Sequence, residues 1–540
     1  MISFILVIAI LVCIVLSVMA VQLYINTHSD PISLKFQHYE SSTRHPLESP
    51  IMSNVLSNNI QNSINLIDGL KLRVPKKNYK FRCGNFLDIL DLISTHNKDS
   101  AYKNIGKLYS YFGNTNGSEK IVLGFVYDIS SSNGLITLME CLRCVLELNL
   151  KSKKESNIVH ELILLDSIPR SRSIIDEKNI THLVLDDLQN EFYLNGSESW
   201  YEKVIVMNEK FHSQKPNLFT IDSLIKNLKF IPFVKEKVIT EENYLLLDNS
   251  RLFEYKDTVF TQNNLVSAVS SFLTILPQEM FITDKDEFCF LTDSFNKSFD
   301  NVQLIYKVLG VLMLGGKVNF VNIESSDDNL EIPETTTFLQ TNSDNINKLL
   351  SLTNYQENRT KLMFRVFHSL LLENFYFPSK KFTYVSKNLH NLKAVFITRK
   401  ETQSISSEIM SLLKTNLQCR ASLETYIDFS NTQSVKLFGP LFYTNLYDLR
   451  HFTEKTIEQV VTLAGVIYPT LQFKIADKSE DTDAIGKLKI RGFSIGAPID
   501  DLKEKYKDQM DVANENEGWV SLEGIEGCIG RDSCFWLSKC

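Results

Sequence analysis

The chain has 540 residues, a 44% hydrophobic content and a formal net charge of −7. That length exceeds one ordinary domain, and the apolar content is enough to bury a large core. The mild negative balance excludes a basic nucleic-acid-binding field and is too small for a disordered polyanion.

Residues 2–21 are apolar apart from Ser3 and Ser17 and carry no charge. About 20 such residues cross a bilayer as one helix. Val18-Met19-Ala20 loosely fits a signal-peptide cleavage site, but the length of the run and the lack of a basic region before it favour an uncleaved anchor. Lys35 and Arg44 follow the span, which favours a cytosolic body. Residues 1–24 therefore read as one transmembrane helix. Residues 25–79, polar and broken by Pro31, Pro46, Pro50 and Pro75, read as a tether and N-terminal segment.

Strands and helices then alternate. A first α/β subdomain, 80–240, has strand patterns at 121–127, 161–165 and 182–185. Its helix pattern at 134–148 places Leu135, Leu138, Leu142 and Leu146 near one face. A second, 241–440, has strand patterns at 244–247, 288–291, 318–321 and 392–397. Its helix patterns lie at 264–276, 301–314, 362–372 and 405–416, and Gly315-Gly316 stop the second of these. Such alternation predicts two doubly wound α/β subdomains with parallel sheets. Residues 441–540 form a small β-rich subdomain, with strands at 466–475 and 486–492.

The nine cysteines are scattered. Cys141-Leu142-Arg143-Cys144 has redox spacing but sits inside a helical pattern without a second pair, so two reduced thiols are expected. His368 and His390 form no metal spacing. The sequons at Asn116, Asn179, Asn195, Asn296 and Asn358 matter only in a lumenal body.

The stretch 245–269 has the grammar of a phosphate-binding loop: an apolar run, a polar turn at 248–257, then a helix from about Gln262. The turn has no glycine to bring backbone N–H groups inward. It carries Asp248, Glu254 and Asp257 against Arg251 and Lys256.

The order of these elements resembles the N-terminal domain of the AMP-forming acyl-CoA synthetase superfamily, especially its long-chain fatty acyl-CoA synthetase branch, over roughly residues 120–535. Gly486-Lys487-Leu488-Lys489-Ile490-Arg491-Gly492 resembles the family's G-E-L-x-I-R-G. Glu517-Gly518-Trp519-Val520 resembles D-G-W-F, and Ile529-Gly530-Arg531 the hinge I-D-R. Aligned without gaps, the glycine-rich loop Y-T-S-G-S-T-G-x-P-K-G falls on 247–257 and keeps only Lys256. P-L-x-H gives way to Thr292-Asp293-Ser294, and S-G-G-A to a loop at Thr398-Arg399-Lys400-Glu401. Y-G-L-T-E-T falls on 426–431, keeping Tyr426. The ribose-binding aspartate of T-G-D is lost, with Glu523 one position away. The mobile C-terminal domain of the family, with its catalytic lysine, has no counterpart before Cys540.

An acyl-adenylate reaction needs a cationic clamp, phosphate-facing amides and magnesium. With the N-terminal span, the resemblance therefore implies a membrane-anchored, catalytically inactive relative with no catalytic residue and no metal. Lys256, Tyr426, Glu523 and Arg531 are its vestigial nucleotide-site candidates. Each also reads blandly: Lys256 and Arg531 as solvated charges, Tyr426 and Trp519 as packing residues. The expected partners are membrane lipid, a fatty acid or acyl-CoA, and a protein, on the endoplasmic reticulum or lipid droplet. One alternative is an active fatty acyl-CoA synthetase using ATP and magnesium. Another is a lumenal or secreted glycoprotein.

Overall fold

The computed structural model describes residues 84–97, 105–114, 119–126, 132–155, 158–186, 196–207, 217–231, 250–292, 297–323, 332–351, 389–401, 405–427, 436–448, 460–477, 485–498 and 519–530, with shorter pieces elsewhere. Among these pieces are 15–20, 37–41, 48–59, 73–75, 81–83, 453–455 and 533–538. The expected strand at 244–247, most of the expected helix at 362–372, and Arg531 lie outside the described residues.

Near the N-terminus, β1 (His38–Glu40) and β2 (Met52–Asn54) precede a short helix α1 (Val55–Asn59), and β3 (Arg73–Pro75) pairs with β4 (Phe81–Cys83). Helix α2 (Phe86–His96) follows, started by an Asn85–Asp88 capping box, then α3 (Lys107–Asn114). Among the described residues no helix is long and apolar enough to cross a membrane. Val12 and residues 15–20 of the expected anchor are helical and exposed.

The first sheet is built on β5 (Val122–Val126), the crossover helix α4 (Ser132–Glu155), β6 (Glu161–Leu165), α5 (Arg172–Lys178) and β7 (His182–Leu185). After these come β8 (Lys203–Val206), β9 (Leu218–Thr220) and α6 (Ile221–Ile225). Strand β5 is buried along its whole length, as a central parallel strand must be when helices cover both faces. The parallel strands run β6-β5-β7-β8-β9.

A hairpin extends this sheet. Strand β10 (Arg251–Tyr255) pairs in parallel with β6 and antiparallel with β11 (Thr258–Thr261). This corrects the expected polar turn at 248–257. Leu252, Phe253 and Tyr255 are buried, so five of its residues form a strand, and only Lys256 and Asp257 turn the chain. The hairpin also belongs to the first sheet, although the boundary drawn at 240 gave it to the second subdomain.

Helix α7 (Gln262–Ile275) leads into the second sheet through β12 (Glu287–Thr292), α8 (Lys297–Met313), β13 (Lys317–Asn322), β14 (Phe338–Asn342) and α9 (Ile346–Ser351). Strand β15 (Ala394–Lys400), helix α10 (Ser407–Leu417) and β16 (Arg420–Tyr426) complete its parallel half. That half runs β13-β12-β14-β15-β16, the same order as the first sheet. Each half switches direction between its first and third strand in sequence, where open α/β sheets place ligands at the carboxyl ends.

The β-rich end is not a detached unit. Strand β17 (Phe442–Tyr443) joins β16 to β19 (Val460–Ile467), which also carries the short β18 (Thr453–Lys455). The sheet continues through β24 (Phe535–Ser538), β23 (Val520–Ile529), β21 (Gly486–Gly492), β20 (Leu471–Ala476), β2 and β1. Strand β22 (Ala497–Pro498) instead joins β11 on the first sheet. Part of the expected tether is therefore sheet: Met52 pairs with Phe473, and the Asn54 amide donates to the carbonyl of Ile467. The single strand expected at 466–475 is two, β19 and β20, turned at Tyr468–Thr470.

Candidate functional site

The carboxyl half of the second sheet carries a cluster of buried polar side chains. Side chains alternate along a strand, and the register sets Gln340 beside Phe396 and Thr398 beside Glu424. Helix α8 covers this face. Most of its inward side chains are apolar, but Lys307 among them is charged, and both Lys307 and Glu424 are 0% exposed. The Lys307 ammonium donates to Glu424 Oε2 at 2.5 Å and to Gln340 Oε1 at 2.5 Å. It also lies 4.4 Å from the Phe396 ring centroid, a cation–π contact.

Tyr426 donates to the same carboxylate oxygen at 3.1 Å, and the Tyr306 and Tyr426 hydroxyls are 2.9 Å apart. Because an ionised carboxylate only accepts, the chain of donation runs Tyr306 to Tyr426 to Glu424. Burial pushes the Lys307 amine down to about 8, against the pull of Glu424, and pushes the Tyr306 and Tyr426 phenols up. Glu424 Oε1, Gln340 Nε2 and Gln303 Oε1, all buried, have no hydrogen-bond partner among the described residues.

Arg399, one residue from the end of β15, projects to the opposite face beside Thr425. It is 1% exposed. Its Nε donates to Thr425 Oγ1 at 2.9 Å and its Nη2 to the carbonyl of Leu463 at 2.7 Å, while Nη1 has no partner among the described residues. The stretch expected as a loop from Thr398 is thus the end of a strand, because its side chains are buried on both faces.

At the β10–β11 turn, Lys256 and Asp257 both have left-handed backbones, with φ of 44° and 61°. This is the pattern of a tight hairpin turn, usually made with Asn or Gly. Phe253, Phe260 and Phe438 pack beneath it. Lys256 lies 3.6 Å from Asp166. Lys178 bonds Glu254 at 2.7 Å and Asp257 at 3.0 Å. Lys436 donates to the Lys256 carbonyl, and burial pushes its amine down. Helix α7 then starts from a Thr261–Asn264 capping box.

The structure separates the residues read as nucleotide-site candidates. Tyr426 is in the buried cluster with Lys307 and Glu424. Lys256 is at the hairpin turn with Asp166. Glu523 is exposed in a bulge of β23, where the register against β21 shifts. Trp519 is buried between Lys474 and Arg491, 4.9 Å and 4.7 Å from its ring. Cys141 and Cys144 are buried free thiols whose ionisation burial opposes.

Sequence reasoning missed Lys307, Glu424 and Arg399. For Lys307 the available signal was a lone charge inside an apolar pattern, IYKVLGV, and for Arg399 a charge directly after the apolar strand pattern AVFIT. Such a charge needs a partner in three dimensions.

No family model matches the chain. The uncharacterized protein YHR045W of Saccharomyces cerevisiae is 26% identical over 557 aligned positions, covering 94% of this chain and 93% of that protein. Among solved structures, Coronafacic Acid Ligase from Pectobacterium brasiliense matches with a TM-score of 0.50 and 13% identity, over 87% of this chain and 75% of the ligase. A Mycobacterium tuberculosis fatty acyl CoA synthetase matches with a TM-score of 0.51 and 9% identity, over 84% of this chain and 78% of the synthetase.

Proposed function

We infer the function from the fold: the two-sheet α/β architecture matches that of the acyl-CoA synthetase N-terminal domain, in the fold class of the AMP-forming adenylate ligases. From that premise we propose that the chain is a membrane-anchored, catalytically inactive relative of the long-chain branch. It acts as a lipid-related binding or scaffold protein on the endoplasmic reticulum or lipid-droplet surface. The observation that carries this reading is the β10–β11 turn. Lys256 and Asp257 alone join two paired strands at the place where the resemblance puts a long glycine-rich phosphate loop. Ladder pairing occupies the flanking backbone, and a two-residue turn cannot surround a polyphosphate. Lys178, Lys256 and Lys436 around it face Glu254, Asp257 and Asp166, so the local cations are offset. The anchor rests on the uncharged apolar run at 2–21, whose described part is helical and exposed.

The test is calorimetry of the full chain in detergent with magnesium-ATP, repeated with a long-chain fatty acid. The proposal expects no saturable ATP binding. Saturable ATP binding, with acyl-adenylate and pyrophosphate formed from ATP and the fatty acid at enzyme rates, would overturn it. A second reading, an active enzyme with a divergent site, draws on the convergence of Lys178, Lys256 and Lys436. It requires ATP binding that Lys256→Ala abolishes.

A further inference from the structure

Two buried cations at the second sheet, Lys307 on α8 and Arg399 on β15, are compensated differently. Lys307 has a carboxylate at 2.5 Å. Arg399 has none: its partners are a threonine hydroxyl and a backbone carbonyl, and no acidic group among the described residues contributes to its ionisation. The buried acids on these strands are engaged elsewhere. Glu424 holds Lys307 on the other face, and Glu287 accepts from Asn319 and from Thr335. A guanidinium stays charged at neutral pH, and burying a charge without a counter-charge costs several kcal/mol. Two hydrogen bonds to neutral acceptors offset only part of that.

The orphan atom is also the informative one. Nε and one Nη2 N–H are used, while Nη1 uses neither of its two N–H groups among the described residues. They sit at the penultimate residue of β15, at the carboxyl edge of a parallel sheet, where this architecture receives ligands. Guanidinium N–H groups fit carboxylate and phosphate oxygens better than any other polar group.

We propose that Arg399 is the receptor for an oxyanion, a carboxylate or phosphate group of a ligand, at the carboxyl ends of β15 and β16. The anion supplies the missing counter-charge and takes the Nη1 donors, while Thr425 and the Leu463 carbonyl hold the guanidinium plane. This site is separate from the hairpin turn, and it stands whether or not the chain turns over ATP.

The experiment is a thermal-unfolding titration of the full chain in detergent at constant chloride, with inorganic phosphate in one arm and butyrate in the other. The expected result is a saturable rise in Tm with at least one of the two, and the arm that responds identifies the anion class. Arg399→Met should abolish that rise, with at least a tenfold loss of affinity. Its anion-free Tm should be unchanged or higher, because an uncompensated charge has gone. Arg399→Lys should keep a weakened rise. The proposal is overturned if neither anion moves the wild-type Tm. It is also overturned if Arg399→Met keeps the rise, or if that variant loses stability without anion, which would make the two existing hydrogen bonds its whole role.

Discussion

Replacing Lys307 by methionine isolates the chemistry of the buried cluster. Methionine is close in length and apolar, so the cavity it leaves is small. The loss then falls on Glu424. Its Oε2 has Lys307 at 2.5 Å and Tyr426 at 3.1 Å, and its Oε1 has no partner among the described residues. Removing one member of a buried ion pair costs about 3–5 kcal/mol, because the other charge stays behind. Lys307→Met should therefore destabilise the chain by about that much. Glu424→Gln should cost a comparable amount, because it strands the ammonium. The double variant carries no buried charge and should cost about 1 kcal/mol, far less than the two single losses together. Urea unfolding followed by circular dichroism reads this as shifts in midpoint at constant m-value. Single losses below about 1 kcal/mol, or a double loss equal to the sum of the singles, would show that the pair is not coupled as described.

Three further outcomes follow from the geometry. The folded Lys307 amine is depressed from 10.5 to about 8, so between those values the unfolded chain holds more protons and stability should rise with pH. This rise should be missing from Lys307→Met in urea midpoints compared across about pH 7 to 10. Glu140 is the opposite case. Burial raises its carboxyl above the ordinary 4.5, although it accepts from the N–H groups of Gly106, Lys107 and Leu108 at the start of α3. Stability should fall as pH rises from that ordinary value through the folded one. Glu140→Gln should remove the fall while costing about 1–2 kcal/mol of helix-end hydrogen bonding at neutral pH. If the wild-type and Gln curves run parallel, the carboxyl is not perturbed in this way. Finally, Gly465 has φ of +101°, and a Cβ there would lie 2.3 Å from the Tyr443 carbonyl oxygen. Gly465→Ala should lower stability by about 3 kcal/mol or more in thermal unfolding, and a loss under about 1 kcal/mol would mean the β17–β19 contact yields easily.

The parallel strands were legible where burial on both faces makes the sequence continuously apolar. Glu161–Leu165 and His182–Leu185 stand where their patterns placed them, and the antiparallel Gly486–Gly492 does too. The strands β14 and β16 were not legible. Their sequences, FLQTN and RASLETY, put Gln340 and Glu424 on faces that pattern reading assigns to solvent. Only the fold reveals that Lys307, 33 and 117 residues away from them, makes those positions interior. The hairpin failed for a different reason. Glycine is the usual sign of a left-handed turn, and here Lys256 and Asp257 adopt that backbone without it. A turn read from residue type was therefore made too long and moved off its strand.

The same contrast bears on where function should be sought. A lysine whose carboxylate partner comes from its own fold is accounted for: its charge is neutralised whether or not anything binds. An arginine buried to the same depth on the other face of β15 is not accounted for, because the described fold gives it dipoles but no charge. Stability alone would favour an apolar residue at that position. The hairpin edge, where the resemblance points, has its cations already matched to carboxylates. On the other face of β15, Arg399 is a buried cation with no carboxylate beside it among the described residues, and an anion is the simplest group that would balance its charge.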